Sequence, residues 1–367
     1  MRVALDLRCV RSGMTGIGRY AANLALSLGR VIDADELDLI TTPVGAAYLG
    51  AHVQGRIWTP TDENGWDALT LPDHLRRLDV DIFHSPLFVL PYVRVCKYVC
   101  TIHDVIPLSR PDLTHPDFDR FFKRNAPMTA KSASHIVAPS HHAKAEIVAH
   151  LEVPEQNVTA IHEPVAPHFS QRSDDECKAT LWDHNLSPGY FLYVGALDGR
   201  KNLRRLLDAY ASVRLSKDGA PPLVIVGAPS GDGYDLTRDI SRLDLRSYVR
   251  ALGHVPDADL PALYSRAVAL VFPSLYEGFG LPVVEAMACG TPVITSDISS
   301  LPEVAGGAAL LVDPMNTGAI TEAMLWMLNN SRNALIQRGL ARAAEFSLDR
   351  QGRELVELYE RLVGVRT

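Results

Sequence analysis

The chain has 367 residues, 47% hydrophobic and 22% charged, with a formal net charge of −7. That length exceeds one typical core and suggests two domains of roughly 150–200 residues each, while the acidic balance argues against general nucleic-acid binding. Five scattered cysteines, Cys9, Cys96, Cys100, Cys177 and Cys289, form no C-x-x-C pair or zinc pattern and favour a reducing compartment.

The opening "RVALDL" (2–7) is an apolar strand, but Asp6 and Arg8 interrupt it and it is too short for a signal peptide. No run of 18 apolar residues follows anywhere, so no membrane span is expected and the expected address is the cytoplasm. A glycine-rich loop, "RSGMTGIG", leads into a helix with apolar periodicity at Ala22, Leu24, Leu26 and Leu28. Further strands are expected at "ELDLITTP", "DIFHSP" (81–86), "KYVCTIHD" (97–104) and "SHIVAPS" (134–140), the last followed by the helix "HHAKAEIVAHL". From about residue 163 to 188, prolines and polar residues read as a linker with a short helix inside it. The alternation then restarts with the strand "YFLYVGA", the helix "NLRRLLDAYASV" and the strand "PLVIVGA". After them come the helix "DLPALYSRA", the strand "VALVFPS", the short helix "PVVEAMAC" and the strand "TPVITSD". Strands alternating with helices argue for parallel sheets covered on both faces. The fold class is therefore α/β, two Rossmann-like lobes facing a cleft, with ligands expected outside the C-terminal strand ends. Polar residues there are His84, His103, Asp104, Ser140, Arg200, Lys201 and the 277–285 segment.

The most informative stretch is "YEGFGLPVVEAMACG" (276–290). Gly278 and Gly280 permit close backbone approach, Pro282 suits a first helical position and Gly290 a position just past the end. A strand, a glycine loop and a helix N-terminus favour an anion such as a diphosphate. Glu277 on the loop and Glu285 in the expected first helical turn suit the hydroxyls of a nucleotide sugar; the plainer reading is a dipole-favoured Glu285 and a solvated Glu277. Arg200 and Lys201, after another strand and glycine turn, could complement the diphosphate or form a solvated basic pair. The G-x-G-x-x-A at 16–21 lacks the context of a dinucleotide fingerprint, and Gly16 and Gly18 fit an approach to a diphosphate or sugar better. His103, at a strand end, could bond a sugar hydroxyl or carry a proton, or be structural. The three D-x-D tripeptides (Asp33-Asp35, Asp79-Asp81, Asp257-Asp259) read as chance or helix caps, and no metal is expected. Residues 110–133 mix Phe118, Phe121 and Phe122 with Arg120, Lys123, Arg124 and Lys131, which reads as a helix with a buried aromatic face or as an interfacial surface for a lipid-linked acceptor.

The run "SLYEGFGLPVVEAMACGTPVITSDISSLPEVAGGAALLVDP", with its E-x(7)-E pattern, resembles the signature region of the retaining glycosyltransferases of family 4. "YVGALDGRKNLRRLLDAY", "GHVPDADLPALYSRA", "TIHDVIPL" and "GIGRY" resemble that family's other landmarks in order, so the resemblance covers nearly the whole chain. It implies a GT-B fold, with a first domain at 1–170 completed by a last helix at 347–367 that crosses back, and a donor domain at 187–346. It implies no cofactor or metal, a nucleotide-sugar donor and a saccharide or lipid-linked saccharide acceptor, with peripheral membrane contact an option. By motif, Glu277 would contact the donor sugar and Glu285 the ribose, with Phe279, Gly280 and Leu281 offering backbone groups. Arg200 and Lys201 would hold the diphosphate, Val255 the base, and His103 would sit near the reacting sugar. Many members carry Arg directly after the glycine ending the strand, where this chain has Ala196. "GIGRY", "HSP" and "HDVIPL" are similar to bacterial mannosyltransferases of surface polysaccharide synthesis, which favours GDP-mannose, with UDP-sugars the other option. The rival functions are a sugar-nucleotide epimerase, a hydrolase using Glu277 and Glu285, and a non-catalytic sugar-nucleotide binder.

Overall fold

The computed structural model describes residues 1–11, 16–59, 70–230 and 233–364. The chain forms two compact units. The first comprises Met1–Asp112, Pro116–Pro164 and the stretch that begins at Phe346; the second is built on Val165–Glu345.

The first unit holds a seven-stranded sheet of β1 (Val3–Asp6), β2 (Leu37–Ile40), β3 (Arg56–Trp58), β4 (Ile82–Ser85), β5 (Lys97–Thr101), β6 (His135–Ala138) and β7 (Val158–Ala160), in the order β3-β2-β1-β4-β5-β6-β7. The second holds β8 (Tyr190–Val194), β9 (Leu223–Val226), β10 (Val249–Gly253), β11 (Ala267–Phe272), β12 (Val293–Ser296) and β13 (Leu310–Val312), in the order β10-β9-β8-β11-β12-β13. Among the described residues all strand pairs are parallel. In each sheet the chain works outward to one edge, then returns and builds toward the other. The reversal falls between β1 and β4 and between β8 and β11. At such a switch point the connections leave in opposite directions and open a crevice at the C-terminal strand ends.

The last helix, Leu348–Val363, belongs to the first unit, as the resemblance implied. Its Leu355, Leu358 and Tyr359 join the buried cluster of Tyr20, Leu24 and Leu28 from the helix Gly16–Leu28. Gly352 allows the close approach: a Cβ there would lie 2.5 Å from the Ser27 carbonyl oxygen. Beside it Ser27 Oγ donates to Gln351 Oε1 at 2.8 Å.

A buried polar chain crosses the same core. Tyr359 Oη lies 2.5 Å from His84 Nδ1, His84 Nε2 lies 2.9 Å from Thr101 Oγ1, and Thr101 Oγ1 lies 2.8 Å from Tyr20 Oη. His84 is thus a fully buried strand residue rather than a group at a strand end. Burial holds its pKa down at about 3. Ser140 is likewise structural: its hydroxyl accepts from Ala143 N and caps the helix His141–Leu151.

The helix after the predicted glycine loop starts earlier than expected. Residues 12–15 lie outside the described residues, and the helix already begins at Gly16, which places Gly16 and Gly18 in its first turn. Asp259 takes the N-cap position of the helix Leu260–Ser265, but its carboxylate meets His184 Nε2 at 3.1 Å instead of capping.

Candidate functional site

The second unit brings its predicted cations and one predicted carboxylate together at the β8/β11 switch point. After β8, Asp198 caps a short turn, Gly199–Lys201, by accepting from Lys201 N at 2.9 Å. After β11, the segment Tyr276–Gly280 runs buried into the helix Leu281–Ala288. Lys201 Nζ donates to Glu277 Oε1 at 2.6 Å and Arg200 Nη1 to Glu277 Oε2 at 3.0 Å. Arg200 Nη1 also donates to the Tyr276 carbonyl at 2.9 Å. The solvated alternatives for Glu277 and for the basic pair therefore fall away. Glu277 is 6% exposed and Lys201 8%.

Burial pushes the Glu277 pKa up, but the charges of Lys201 and Arg200 outweigh it and hold the carboxyl below its ordinary value. Burial and the Arg200 charge pull the Lys201 pKa down, with Glu277 opposing them. Burial raises Asp198, against the pull of Arg200 and Lys201. The Lys201 ammonium also lies 4.8 Å from the Phe272 ring centroid, a cation–π contact that helps to hold a buried charge.

The loop is fixed by residues that the sequence reading passed over. Ser300 Oγ reaches the carbonyls of Glu277 and Phe279 at 2.9 and 2.8 Å, and Glu277 N donates to Ser299 Oγ at 3.1 Å. Asn202, left-handed at φ +61°, donates through Nδ2 to the carbonyls of Pro273 and Pro314 at 2.9 and 2.8 Å. The signals were present, an Asn able to adopt a left-handed turn and a Ser-Ser pair before Leu-Pro, but each is generic in loops.

Gly280 stands at φ +109° and leads the helix, whose proline sits in the first turn and whose end is followed by Gly290 at φ +71°. Phe279 is buried, and Leu281 opens the helix. Glu285 is the fifth helical residue, so the expected first-turn position is corrected: no acid lies in that turn. Glu285 is instead buried, with Tyr264 Oη donating to its Oε2 at 3.0 Å. Val255 is buried just past the end of edge strand β10, so its backbone belongs to the same C-terminal rim of the sheet. Where the resemblance would place an arginine, the Ala196 carbonyl accepts from Tyr193 Oη at 2.8 Å.

In the first unit, His103 follows β5. Its Nδ1 lies 3.1 Å from Glu163 Oε1 and its Nε2 3.1 Å from the Pro86 carbonyl, with Tyr20 edge-on at 4.6 Å.

Comparison with known proteins agrees with this architecture. The family model "Glycosyl transferases group 1" matches residues 181–342, and "Glycosyltransferase Family 4" matches residues 14–169. The chain is 31% identical to O-antigen chain mannosyltransferase B of Escherichia coli over 99% of this chain and 100% of that protein. It is 29% identical to O-antigen chain mannosyltransferase RfbU of Salmonella typhimurium over 84% of this chain and 85% of that one. Among solved structures, Anabaena Alr3699/HepE in complex with UDP-glucose superposes with a TM-score of 0.79 at 17% identity, over 98% of this chain and 100% of that one. A sucrose-phosphate synthase from Thermosynechococcus elongatus gives 0.78 at 19% identity, with both chains covered completely. These structures share the two-lobed parallel-sheet fold. With a full-length relative at that identity and both family models in register with the two units, the chain belongs to the family 4 glycosyltransferases of GT-B fold, related to bacterial mannosyltransferases.

Proposed function

We propose that the protein transfers a mannosyl residue from GDP-mannose to an acceptor hydroxyl with retention of configuration, in polysaccharide or glycolipid synthesis. The observation that carries this reading is the buried Glu277–Arg200–Lys201 cluster at the switch point, beside a helix N-terminus. Loss of a nucleoside diphosphate builds charge on the leaving oxygens. Arg200, Lys201 and the N–H groups that open the helix at Leu281 supply pre-set positive potential for that charge. A carboxylate offers about four acceptor positions. With two filled by Arg200 and Lys201, Glu277 retains acceptor capacity for a hydroxyl of the donor sugar, so it orients the sugar and holds the cations at once. Phe279, Gly280 and Leu281 contribute backbone groups, Glu285 accepts from the ribose, and Val255 meets the base through its backbone. Gly16 and Gly18, in the opening turn of their helix, offer N–H groups to an anion, and His103 bonds a substrate hydroxyl. No metal or cofactor takes part: the cations of the chain carry the role. Mannose is favoured by the names of these relatives.

The test is a thermal-shift panel of GDP- and UDP-sugars. A ligand at a hundred times its dissociation constant adds about 2.7 kcal/mol, roughly 5–10 °C for a unit of this size. GDP-mannose is expected to give the largest shift. No response to any nucleotide sugar would remove the transferase reading.

A lipid-linked saccharide as the acceptor is supported by a separate observation. Phe122 is buried in the helix Pro116–Ser132, yet Phe118, Phe121 and Met128 remain 42%, 48% and 46% exposed. They line one flank, with Arg120, Arg124 and Lys131 on the adjoining strip. Phe88 packs against Phe118 and Phe121, and the segment that follows it exposes Tyr92 and Val93. Rings beside cations suit an anionic bilayer surface. No helix among the described residues is long and apolar enough to cross a membrane. Sedimentation with vesicles containing anionic lipid is expected, weakening with salt and lost in Phe118→Ser/Phe121→Ser. Equal sedimentation of that variant and the parent would refute the assignment.

A further inference from the structure

His103 is held from two sides by groups that can only accept. The Glu163 carboxylate faces Nδ1 and the Pro86 carbonyl faces Nε2, each at 3.1 Å. A neutral imidazole carries one donor and one acceptor nitrogen, so in either neutral tautomer a ring lone pair would point at an oxygen lone pair. Only the doubly protonated ring satisfies both contacts. Glu163 is 5% exposed, and the segment that carries it is pinned on both sides. Asn23 Nδ2 donates to the Pro164 carbonyl at 3.2 Å, and Gln351 Nε2 to the His162 carbonyl at 3.4 Å. Tyr20, on the same helix as Asn23, closes the edge of the His103 ring. The backbone on either side of Glu163 is therefore fixed by two helices.

We infer that Glu163 is a positioning residue: it fixes His103 as a double donor, so that His103 meets a substrate hydroxyl by donating from Nε2, exchanging the Pro86 carbonyl for the hydroxyl oxygen, and does not serve as the proton acceptor. The exchange with a hydroxyl rests on the transferase reading; the pairing and its protonation do not. Electrostatics point the same way. Burial lowers the His103 pKa, but the hydrogen bond and charge of Glu163 outweigh it, with help from Pro86 and Asp104, and the net direction is upward. The other titratable neighbours on the packed elements are Tyr20, raised by burial, and His84, kept neutral by burial.

The experiment is an imidazole 15N NMR titration of the full chain, with His103→Gln identifying the signal, run on the parent, Glu163→Gln and Glu163→Asp. The parent is expected to show both His103 nitrogens protonated at pH 7. Glu163→Gln should lower the midpoint by about one pH unit or more, and Glu163→Asp should restore part of the shift. Turnover should divide in the same way. Glu163→Gln should lose about tenfold or more in kcat at pH 8 with KM nearly unchanged, and regain activity as the pH falls and the imidazole recharges. A single protonated nitrogen in the parent at pH 7, or an unchanged midpoint in Glu163→Gln, overturns the pairing. A confirmed pairing with an unchanged kcat in Glu163→Gln overturns the donor role. A confirmed pairing in a protein that turns over no nucleotide sugar would fail the transferase reading alone.

Discussion

Lys201→Met is expected to cut kcat by about a hundredfold to a thousandfold while leaving most of the stability in place. Glu277→Gln is expected to lose turnover and, in addition, about 3–5 kcal/mol of stability. The asymmetry follows from which charges remain buried. Without Lys201, Glu277 keeps Arg200 at 3.0 Å, and the methionine stem can lie where the ammonium met the Phe272 ring. Without the Glu277 charge, Arg200 and Lys201 repel each other in a pocket where each is mostly shielded from water, with Asp198 the nearest compensation at 3.8 Å from Arg200. The double variant Lys201→Met/Glu277→Gln should therefore be more stable than the sum of the two singles, and still inactive. Denaturant midpoints and kcat for all four proteins decide the matter. A Lys201→Met enzyme within tenfold of the parent would show that the cluster is only structural, and additive stabilities would show that the two charges are not coupled. Acid titration supplies a further check. The Glu277 pKa is held below its ordinary 4.5 in the folded state, so its contribution is fully present above that value and is lost as the pH falls through the folded pKa. Glu277→Gln should flatten that part of the stability curve.

Tyr359→Ala should be the most damaging single change in the first unit, at about 3–5 kcal/mol for the lost ring and about 1–3 kcal/mol more for the polar group left behind. The ring is fully buried and its hydroxyl is the partner of His84 Nδ1. Tyr359→Phe isolates the second part, because the ring remains. Two buried histidines, one of them in this network, make this unit acid-labile. Burial holds His84 at about 3, down from 6.5, and His135 at about 4. The unfolded chain therefore binds protons that the folded one refuses. The contribution of these two histidines is intact above pH 6.5 and falls as the pH drops toward the folded values, by up to about 1.4 kcal/mol per unit for each. Urea midpoints from pH 7 to 4.5 should show the slope, and His84→Gln should reduce it. A slope unchanged in that variant would locate the acid sensitivity elsewhere.

The sheets show where sequence is readable. Among the described residues all nine interior strands announce themselves as apolar runs, because both of their faces are covered. The four strands missed, β3, β7, β10 and β13, are the four sheet edges. Each carries exposed or half-exposed positions, as in Val249–Gly253, where one residue of five is buried, and so loses the continuous run that marks a covered strand. The site divides in the same way. Arg200, Lys201, Glu277 and the glycine-led helix are visible because local patterns place them at strand ends. Their union is not visible, since Lys201 and Glu277 stand 76 positions apart and no local rule relates them. Glu163 was absorbed into a polar, proline-rich connection. Nothing nearby in sequence marks it as the partner of a histidine 60 positions earlier.

The helix Leu348–Val363 has a consequence for synthesis. A ribosome emits a chain N-terminal side first, and domains commonly close as they emerge. Of these two units, the one that begins to appear earlier closes later. His84 and Tyr359 are 275 positions apart, and until the final helix emerges the groove lined by Tyr20, Leu24 and Leu28 has no cover. The contiguous second unit, Val165–Glu345, has all its strands available sooner. Order of birth and order of completion are thus reversed for these two units, and the nascent chain carries an uncovered apolar seam while Val165–Glu345 is being made.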